Sequence, residues 1–119
     1  MPQLLTEPAL IPVPGGKRIA EYVGLATTGD RSVSVAQMKA PPGWSEPAQT
    51  PAFTEITLVL SGEVVVGSAA GELRVGPGQA LIARPGETVQ YRAGDGGAEY
   101  VAVCLPAFAE DAAGRESGS

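Results

Sequence analysis

Glycine and proline divide this chain into short apolar runs at nearly regular intervals. The sequence contains 16 Gly and 11 Pro among its 119 residues, and many of them fall between segments rich in Val, Ile, Leu and Tyr. Because Gly and Pro interrupt regular elements and form turns, this spacing favours many short strands joined by tight connections. The pattern predicts a single all-β domain, either a sandwich or a barrel.

Eight segments are predicted as strands, several of them alternating apolar with polar residues as half-buried antiparallel strands do. They are residues 18–26, 31–40, 53–61, 63–68, 71–76, 79–85, 87–93 and 98–106. Turn signals such as "TGDR", "SGE" and "AGDGGA" separate them. After residue 107 the sequence predicts a short helix from Phe108 to Ala113, followed by a polar end.

The charge balance excludes several classes of partner. There are 8 basic and 13 acidic residues, a net charge of -5, so the chain lacks the basic surface that nucleic-acid binding requires. No apolar run approaches the roughly 18 residues of a membrane span, and the N-terminus does not read as a secretory signal. The single Cys104 has no partner for an internal disulfide, which fits a cytoplasmic protein.

Strand parity predicts a polar patch inside the barrel. Alternate residues of a strand share a face, so Phe53, Glu55, Thr57 and Val59 are predicted to point inward. The residues between them are more apolar than this set. An interior that is more polar than the exterior indicates a pocket.

Two glycine-framed segments resemble the two motifs of the cupin family, over about residues 20–106. Gly43, Glu55 and Gly62 match the first motif, and Gln49 stands where a metal-binding His is usual. In "GQALIARPGETVQYRA" the glycines Gly78 and Gly86 match the second motif, and Val89 stands at its His position. The chain is similar to small bacterial cupins near the ethanolamine-utilisation type.

The resemblance implies a cupin or double-stranded β-helix (jelly-roll) barrel of the RmlC-like type. It places the barrel at residues 18–106, with an N-terminal strap at residues 1–17 and a partly disordered C-terminal tail at residues 107–119. It also implies a homodimer, and the proline-rich N-terminal strap is expected to cross the partner subunit.

The chain has no histidine, which removes three of the four usual cupin metal ligands and every imidazole-based mechanism. We therefore predict no metal and no cofactor. The less favoured alternative is a metal-dependent dioxygenase that uses Glu46, Gln49 and Glu55.

Glu55 is the first candidate for chemistry, because burial would raise its pKa and make it a general acid or base. Tyr91 is the second, as a proton donor. The ligand-binding set is predicted to be Trp44, Glu46, Gln49, Phe53, Thr57, Val89 and Tyr100. For each of these the alternative of plain packing or solvation stays open, and Arg84 is a possible neutralising partner of Glu55.

Two classes of function remain. One is a metal-independent enzyme that binds a small organic molecule and catalyses an acid–base reaction of the isomerase, cyclase or lyase type with Glu55. The other is a non-catalytic module that binds or senses the same kind of molecule.

Overall fold

The computed structural model describes residues 1–115 and confirms an almost entirely β architecture. Its strands are β1 (Ala9–Ile11), β2 (Arg18–Val23), β3 (Ser34–Ala40), β4 (Thr54–Ser68), β5 (Gly71–Val75), β6 (Ala80–Ala83) and β7 (Val89–Leu105). Of the partly disordered tail predicted at residues 107–119, residues 116–119 lie outside the described residues.

The two longest strands correct the predicted boundaries. β4 and β7 are continuous, although the sequence suggested turns at "SGE" and "AGDGGA". The pairing register shifts between Val59 and Ser61 and between Gly62 and Val64, so the glycines bend the strands through bulges without ending them. Gly62 has φ +74°, and a Cβ there would lie 2.1 Å from the carbonyl oxygen of Gly97. Only glycine fits this crossing.

The strands pair in the order β1-β2-β3-β7-β4-β5, all antiparallel, and β6 pairs with the other part of β4. The register aligns inward-facing side chains in rows across β3, β7 and β4. One row is Ser34, Cys104 and Glu55, and the next is Ala36, Ala102 and Thr57. Glu55 therefore lies in the middle of the sheet, between two neighbouring strands.

Residues 9–17 and residues 107–115 pack against the barrel of the same chain. Ala9–Ile11 pairs with β2, and residues 11–17 cover an opening of the barrel, so this segment lies on its own subunit. The helix predicted from Phe108 to Ala113 is only a 3-10 turn at Glu110–Ala112. The segment after it is held by backbone bonds, in which Thr50 N–H donates to Gly114 O at 2.9 Å and Ala52 N–H donates to Ala112 O at 2.9 Å.

The outer face of β3, β7, β4 and β6 is a contiguous apolar surface. Two rows of register partners form it: Val35, Val103, Ile56 and Ile82 in one, and Gln37, Val101, Leu58 and Ala80 in the other, in which Gln37 is the polar member. Leu58 is 41% exposed and Ile82 is 47% exposed. Monomeric soluble proteins rarely leave such a patch uncovered. An apolar face with few charges can pack on a copy of itself around a two-fold axis.

We expect a homodimer through this outer sheet face. Leu58→Asp should convert it to a monomer, because the new carboxylate would be buried without a partner at the interface. Light scattering after size exclusion measures the mass directly. Leu10→Asp is the matched control, since Leu10 is 61% exposed on β1, away from this face. A dimer that survives Leu58→Asp but dissociates in Leu10→Asp would contradict this assignment and favour the N-terminal segment as the interface.

Candidate functional site

A cavity of about 810 Å³ opens at one end of the barrel. Inward side chains of β2, β3, β4 and β7 form its walls. Three other segments form its rim: residues 11–17, residues 44–49, and residues 108–115 at the C-terminal end. The volume is within the range of about 300–1,000 Å³ that small-molecule sites occupy.

Residues 44–49 form one side of the rim and are fixed by backbone bonds to the start of β7. Ala93 N–H donates to Trp44 O at 2.8 Å, and Glu46 N–H donates to Tyr91 O at 3.2 Å. Gln49 and Val89 exchange two bonds of 2.8 and 2.9 Å. Pro47, the one proline in this segment, takes part in none of these bonds, so it does not disturb them. Trp44, Glu46 and Gln49 consequently have fixed positions.

Glu55 projects from β4 into this cavity. It is half-buried, because its carboxyl group borders the open volume while the barrel encloses the rest. Burial, followed by the negative charge of Glu46, raises the pKa of Glu55 to about 7; the positive charges of Lys17 and Arg115 oppose that rise. The group therefore exchanges protons near neutral pH.

Lys17 is a site residue that the sequence reasoning missed. It follows the Gly15–Gly16 turn and lines the cavity, with its Nζ 4.1 Å from the ring centroid of Trp44 and 5.4 Å from that of Tyr100. Burial lowers the pKa of Lys17, while the carboxylates of Glu46 and Glu55 raise it. No sequence motif marks Lys17; only the position of the N-terminal segment over the barrel reveals it.

Arg115 was also missed, for the same reason. Its guanidinium closes one side of the cavity, 3.3 Å from Glu46 Oε2 and, through Nε, 2.8 Å from Glu110 Oε1. It reaches this position because the C-terminal segment pairs with residues 49–52. In the sequence, this segment has the composition of a polar tail.

The structure divides the sequence-predicted residues into two groups. Trp44, Glu46, Gln49 and Glu55 line the cavity. The others are buried in the packed interior: Phe53, Thr57, Val89, Tyr91 and Tyr100. Phe53 packs edge-to-face with Phe108 at 5.7 Å, so it supports the wall from behind.

Arg84 is not a partner of Glu55. It is exposed in the turn after β6, where its backbone N–H donates to Glu87 Oε2 at 2.7 Å. The cations that affect Glu55 are Lys17 and Arg115.

Tyr100, Ala102 and Cys104 share the inward face of β7, which the sequence could not establish. Burial raises the pKa of the Cys104 thiol to about 12, so it stays protonated at neutral pH and is a poor nucleophile.

Two interior hydroxyl groups lack hydrogen-bond partners among the described residues. They are Tyr91 Oη and Thr57 Oγ1, on side chains that are 2% and 0% exposed. Burial raises the pKa of Tyr91 above its usual range, and the nearby Thr57 hydroxyl opposes this only in part, without the alignment of a hydrogen bond. A buried polar group without a partner costs about 1–3 kcal/mol.

Replacing both hydroxyls should therefore stabilise the ligand-free protein. We expect Thr57→Val combined with Tyr91→Phe to raise the free energy of unfolding by about 1–2 kcal/mol, because the new side chains keep the shape and remove the unpaired groups. Urea denaturation followed by circular dichroism measures the change. Thr88→Val is the control, since the Thr88 hydroxyl is exposed and bonds to Thr50. A loss of stability in the double variant would contradict the expectation and would indicate that water satisfies both hydroxyls.

The side chains at this site do not fit the metal centre that the cupin resemblance implies. Within residues 1–115, no three His, Cys, Asp or Glu side chains converge on one point. Val89, at the position of a usual ligand, is apolar and packs in the core. Gln49 and Glu55 supply oxygen atoms, which hold transition metals less strongly than imidazole does.

Sequence comparison relates the whole domain to part of a longer protein. Over 109 residues the chain is 47% identical to a Myxococcus xanthus (strain DK1622) protein named endoribonuclease YbeY. The aligned region is 91% of this chain and 37% of that protein, so the chain spans little more than a third of this curated relative's length.

No helix in the described part of the chain is long and apolar enough to cross a membrane.

Structural comparison confirms the fold. An RmlC-like cupin from Shewanella frigidimarina superposes with a TM-score of 0.74 at 13% identity, covering 87% of each chain. The EutQ protein of Clostridium difficile superposes with a TM-score of 0.65 at 15% identity, covering 76% of this chain and 63% of that one. Residues 34–119 match the AraC-like ligand binding domain family. The chain therefore belongs to the AraC-like ligand-binding domain family and has the fold of a small cupin.

Proposed function

We propose that this protein binds a small organic molecule in the barrel cavity without the help of a metal ion. The observation that carries the proposal is Gln49. Its side chain is 4% exposed and lines the cavity, and its Oε1 has no hydrogen-bond partner in residues 1–115. Because Gln49 borders the cavity, a small movement of its side chain lets this oxygen accept a hydrogen bond from water or from a ligand there. The family match supports the same function at a coarse level.

The activity named for the Myxococcus xanthus relative is not part of this proposal. Most of that protein lies outside the aligned region. The net charge of -5 also gives this chain no evident surface for RNA.

Titration with 1-anilinonaphthalene-8-sulfonate tests whether the cavity accepts a small molecule. Trp44 is the only tryptophan and lines the cavity, so its fluorescence reports binding there. We expect saturable binding of one dye per chain. Ala36→Leu should weaken it about tenfold or more, because the added side chain extends from the wall into the cavity.

A matched control is Ala70→Leu, since Ala70 is exposed in the turn between β4 and β5 and does not border the cavity. It should bind the dye as the wild type does. Equal binding in the wild type and Ala36→Leu, with both proteins folded by circular dichroism, would contradict the cavity as the binding site.

Acid–base catalysis by Glu55 is the second candidate function. It is favoured by the pKa of about 7, which lets one group both donate and accept protons at neutral pH. Tyr91 does not border the cavity, so this candidate relies on Glu55 alone. Incubating the protein in D₂O with small carbonyl compounds and following deuterium incorporation by NMR tests for proton abstraction. Incorporation that persists in Glu55→Gln would contradict a role for this carboxyl group.

A further inference from the structure

The charged groups that border the cavity are unevenly paired. They are Lys17, Glu21, Glu46, Glu55, Glu110 and Arg115. Glu21 accepts hydrogen bonds from the backbone N–H groups of Ala26 and Thr27, at 2.9 and 3.1 Å, and from the Thr27 hydroxyl at 2.8 Å. The negative charge of Glu21 is therefore compensated by hydrogen bonds within the protein.

The two glutamates at the rim are also paired. Arg115 lies between them, 3.3 Å from Glu46 and 2.8 Å from Glu110. This leaves Lys17 and Glu55, for which no ion pair of 4.0 Å or less forms within residues 1–115. Among the residues that the structure describes, the cavity thus has one unpaired ammonium group and one unpaired carboxyl group.

Lys17 is held in place although no carboxylate of residues 1–115 pairs with it. Its Nζ stacks over the Trp44 ring, which stabilises the cation and fixes its position at the rim. An ammonium group has three N–H donors, and an aromatic ring does not use them as a carboxylate would. The Lys17 side therefore favours a ligand group that is negatively charged.

The opposite requirement holds at Glu55 and Gln49. The Gln49 Oε1 is buried and unpartnered, and the Glu55 carboxyl group faces the same volume. Both accept hydrogen bonds, so this side favours a group rich in N–H donors, above all an ammonium group.

The remaining wall is mainly apolar. It includes Ile19 on β2, Leu25 after it, Met38 on β3 and Phe108 on the C-terminal segment. A ligand with a hydrocarbon body gains free energy by covering this surface.

A ligand with only one of the two charges would match the site poorly. A lone carboxylate would approach Glu46 and Glu55, and a lone amine would approach Lys17 and Arg115. In either case one protein charge would remain buried and uncompensated, which is unfavourable in a low-dielectric cavity. Lys17 and Glu55 border the same cavity of about 810 Å³, so one small molecule can contact both.

From these contacts we infer that the cavity binds a small zwitterion with an apolar body, such as an α-amino acid with an apolar side chain. Its carboxylate contacts Lys17, its ammonium group contacts Glu55 and Gln49, and its side chain lies against the apolar wall. This inference rests on the proposed ligand-binding function and adds the ligand class to it.

Two matched series of compounds test it by isothermal titration calorimetry at pH 8. One is L-phenylalanine, phenethylamine and 3-phenylpropanoate; the other is L-leucine, 3-methylbutylamine and 4-methylpentanoate. In at least one series the amino acid should bind about tenfold or more tightly than the compound that lacks its carboxylate and the compound that lacks its amine.

The variants assign each preference to a residue. Lys17→Met should abolish the advantage of the amino acid over the amine, and Glu55→Gln should reduce its advantage over the carboxylic acid. Circular dichroism establishes that both variants are folded. Lys39→Met is the control for loss of a lysine, because Lys39 is exposed on β3 and does not border the cavity.

The outcomes separate this inference from the function on which it rests. If, in both series, the amino acid binds no more tightly than one of its truncated analogues, the inference that the ligand is a zwitterion is wrong. The inference is also wrong if Lys17→Met still binds the amino acid more tightly than the amine by the wild-type factor. Suppose that neither series binds, while the anilinonaphthalene dye binds the wild type and binds Ala36→Leu more weakly. The proposed ligand class is then wrong and the binding function stands. If the dye does not bind either, both are wrong.

Discussion

Glu55→Gln should make the ligand-free protein more stable at pH 8 and leave it unchanged at pH 4.5. The pKa of Glu55 is raised from 4.5 to about 7 in the folded protein, so the folded state holds this proton more strongly than the unfolded state does. Below about pH 4.5 both states are protonated and the group has no effect. As the pH rises to about 7, the carboxylate increasingly destabilises the fold.

The size of this effect follows from the shift. One pKa unit corresponds to about 1.4 kcal/mol, and because water in the cavity screens the half-buried charge we expect a gain of about 2–3 kcal/mol at pH 8. For a domain of this size that corresponds to roughly 8–20 °C in melting temperature. The difference between variant and wild type should grow from pH 4.5 to pH 7 and then stay constant.

Differential scanning calorimetry over this pH range makes the measurement. Glu63→Gln is the matched control, because Glu63 pairs with Arg74 at the surface and should have little effect at any pH. The charged groups that act on Glu55 are Glu46, Lys17 and Arg115. A stability difference that is the same at pH 4.5 and pH 8 would show that the carboxyl group is not buried as described.

The sequence predicted the fold well because the fold depends on local signals. Turn glycines and alternating strands are visible in any short window, and the glycine pattern of the two motifs led to the correct family. The errors at "SGE" and "AGDGGA" have a physical cause: a glycine at a bulge and a glycine in a turn can both have positive φ, as Gly62 and Gly97 do. Only long-range pairing decides between them.

The site was less predictable for a related reason. Strand parity was sufficient to place Glu55 and Thr57 inside the barrel, since it needs only the alternation of one strand. Lys17 and Arg115 lie near opposite ends of the chain, and they reach the cavity through pairings with β2 and with residues 49–52. Their side chains are those of ordinary surface residues. The charge pattern on which the proposed ligand depends is therefore a property of the folded chain.

Trp44→Ala should cause the largest loss of stability of any change in the site. Trp44 is 7% exposed and packs with core residues such as Ala93 and Tyr100. Gly15 lies against its edge, where a Cβ would be 3.3 Å from the Trp44 ring, and Lys17 covers its face. Truncating a buried aromatic side chain of this size costs about 3–5 kcal/mol. Because the total stability of such a domain is about 5–15 kcal/mol, this is a large share of it.

Urea denaturation followed by circular dichroism measures this loss, since the variant has no tryptophan to report. Trp44→Phe is the control: it retains a ring for packing and for Lys17, and should cost less than half as much. A cost below about 1 kcal/mol for Trp44→Ala would contradict the packing of residues 11–17 and 44–49 around this ring.

The effects expected at Glu55 and Trp44 have opposite signs, and the contrast distinguishes two roles within one cavity. Trp44 packs the rim against the core, so removing its side chain lowers the free energy of unfolding. Glu55 is an inward carboxyl group whose burial weakens the fold at neutral pH, a cost that a group retained only for packing would not impose. If Glu55→Gln stabilises the protein and also reduces its affinity for an amino acid, the cost of the buried carboxyl group is explained by the ligand that it contacts. If it stabilises the protein and leaves every measured affinity unchanged, Glu55 belongs instead to the acid–base role, which the deuterium experiment tests.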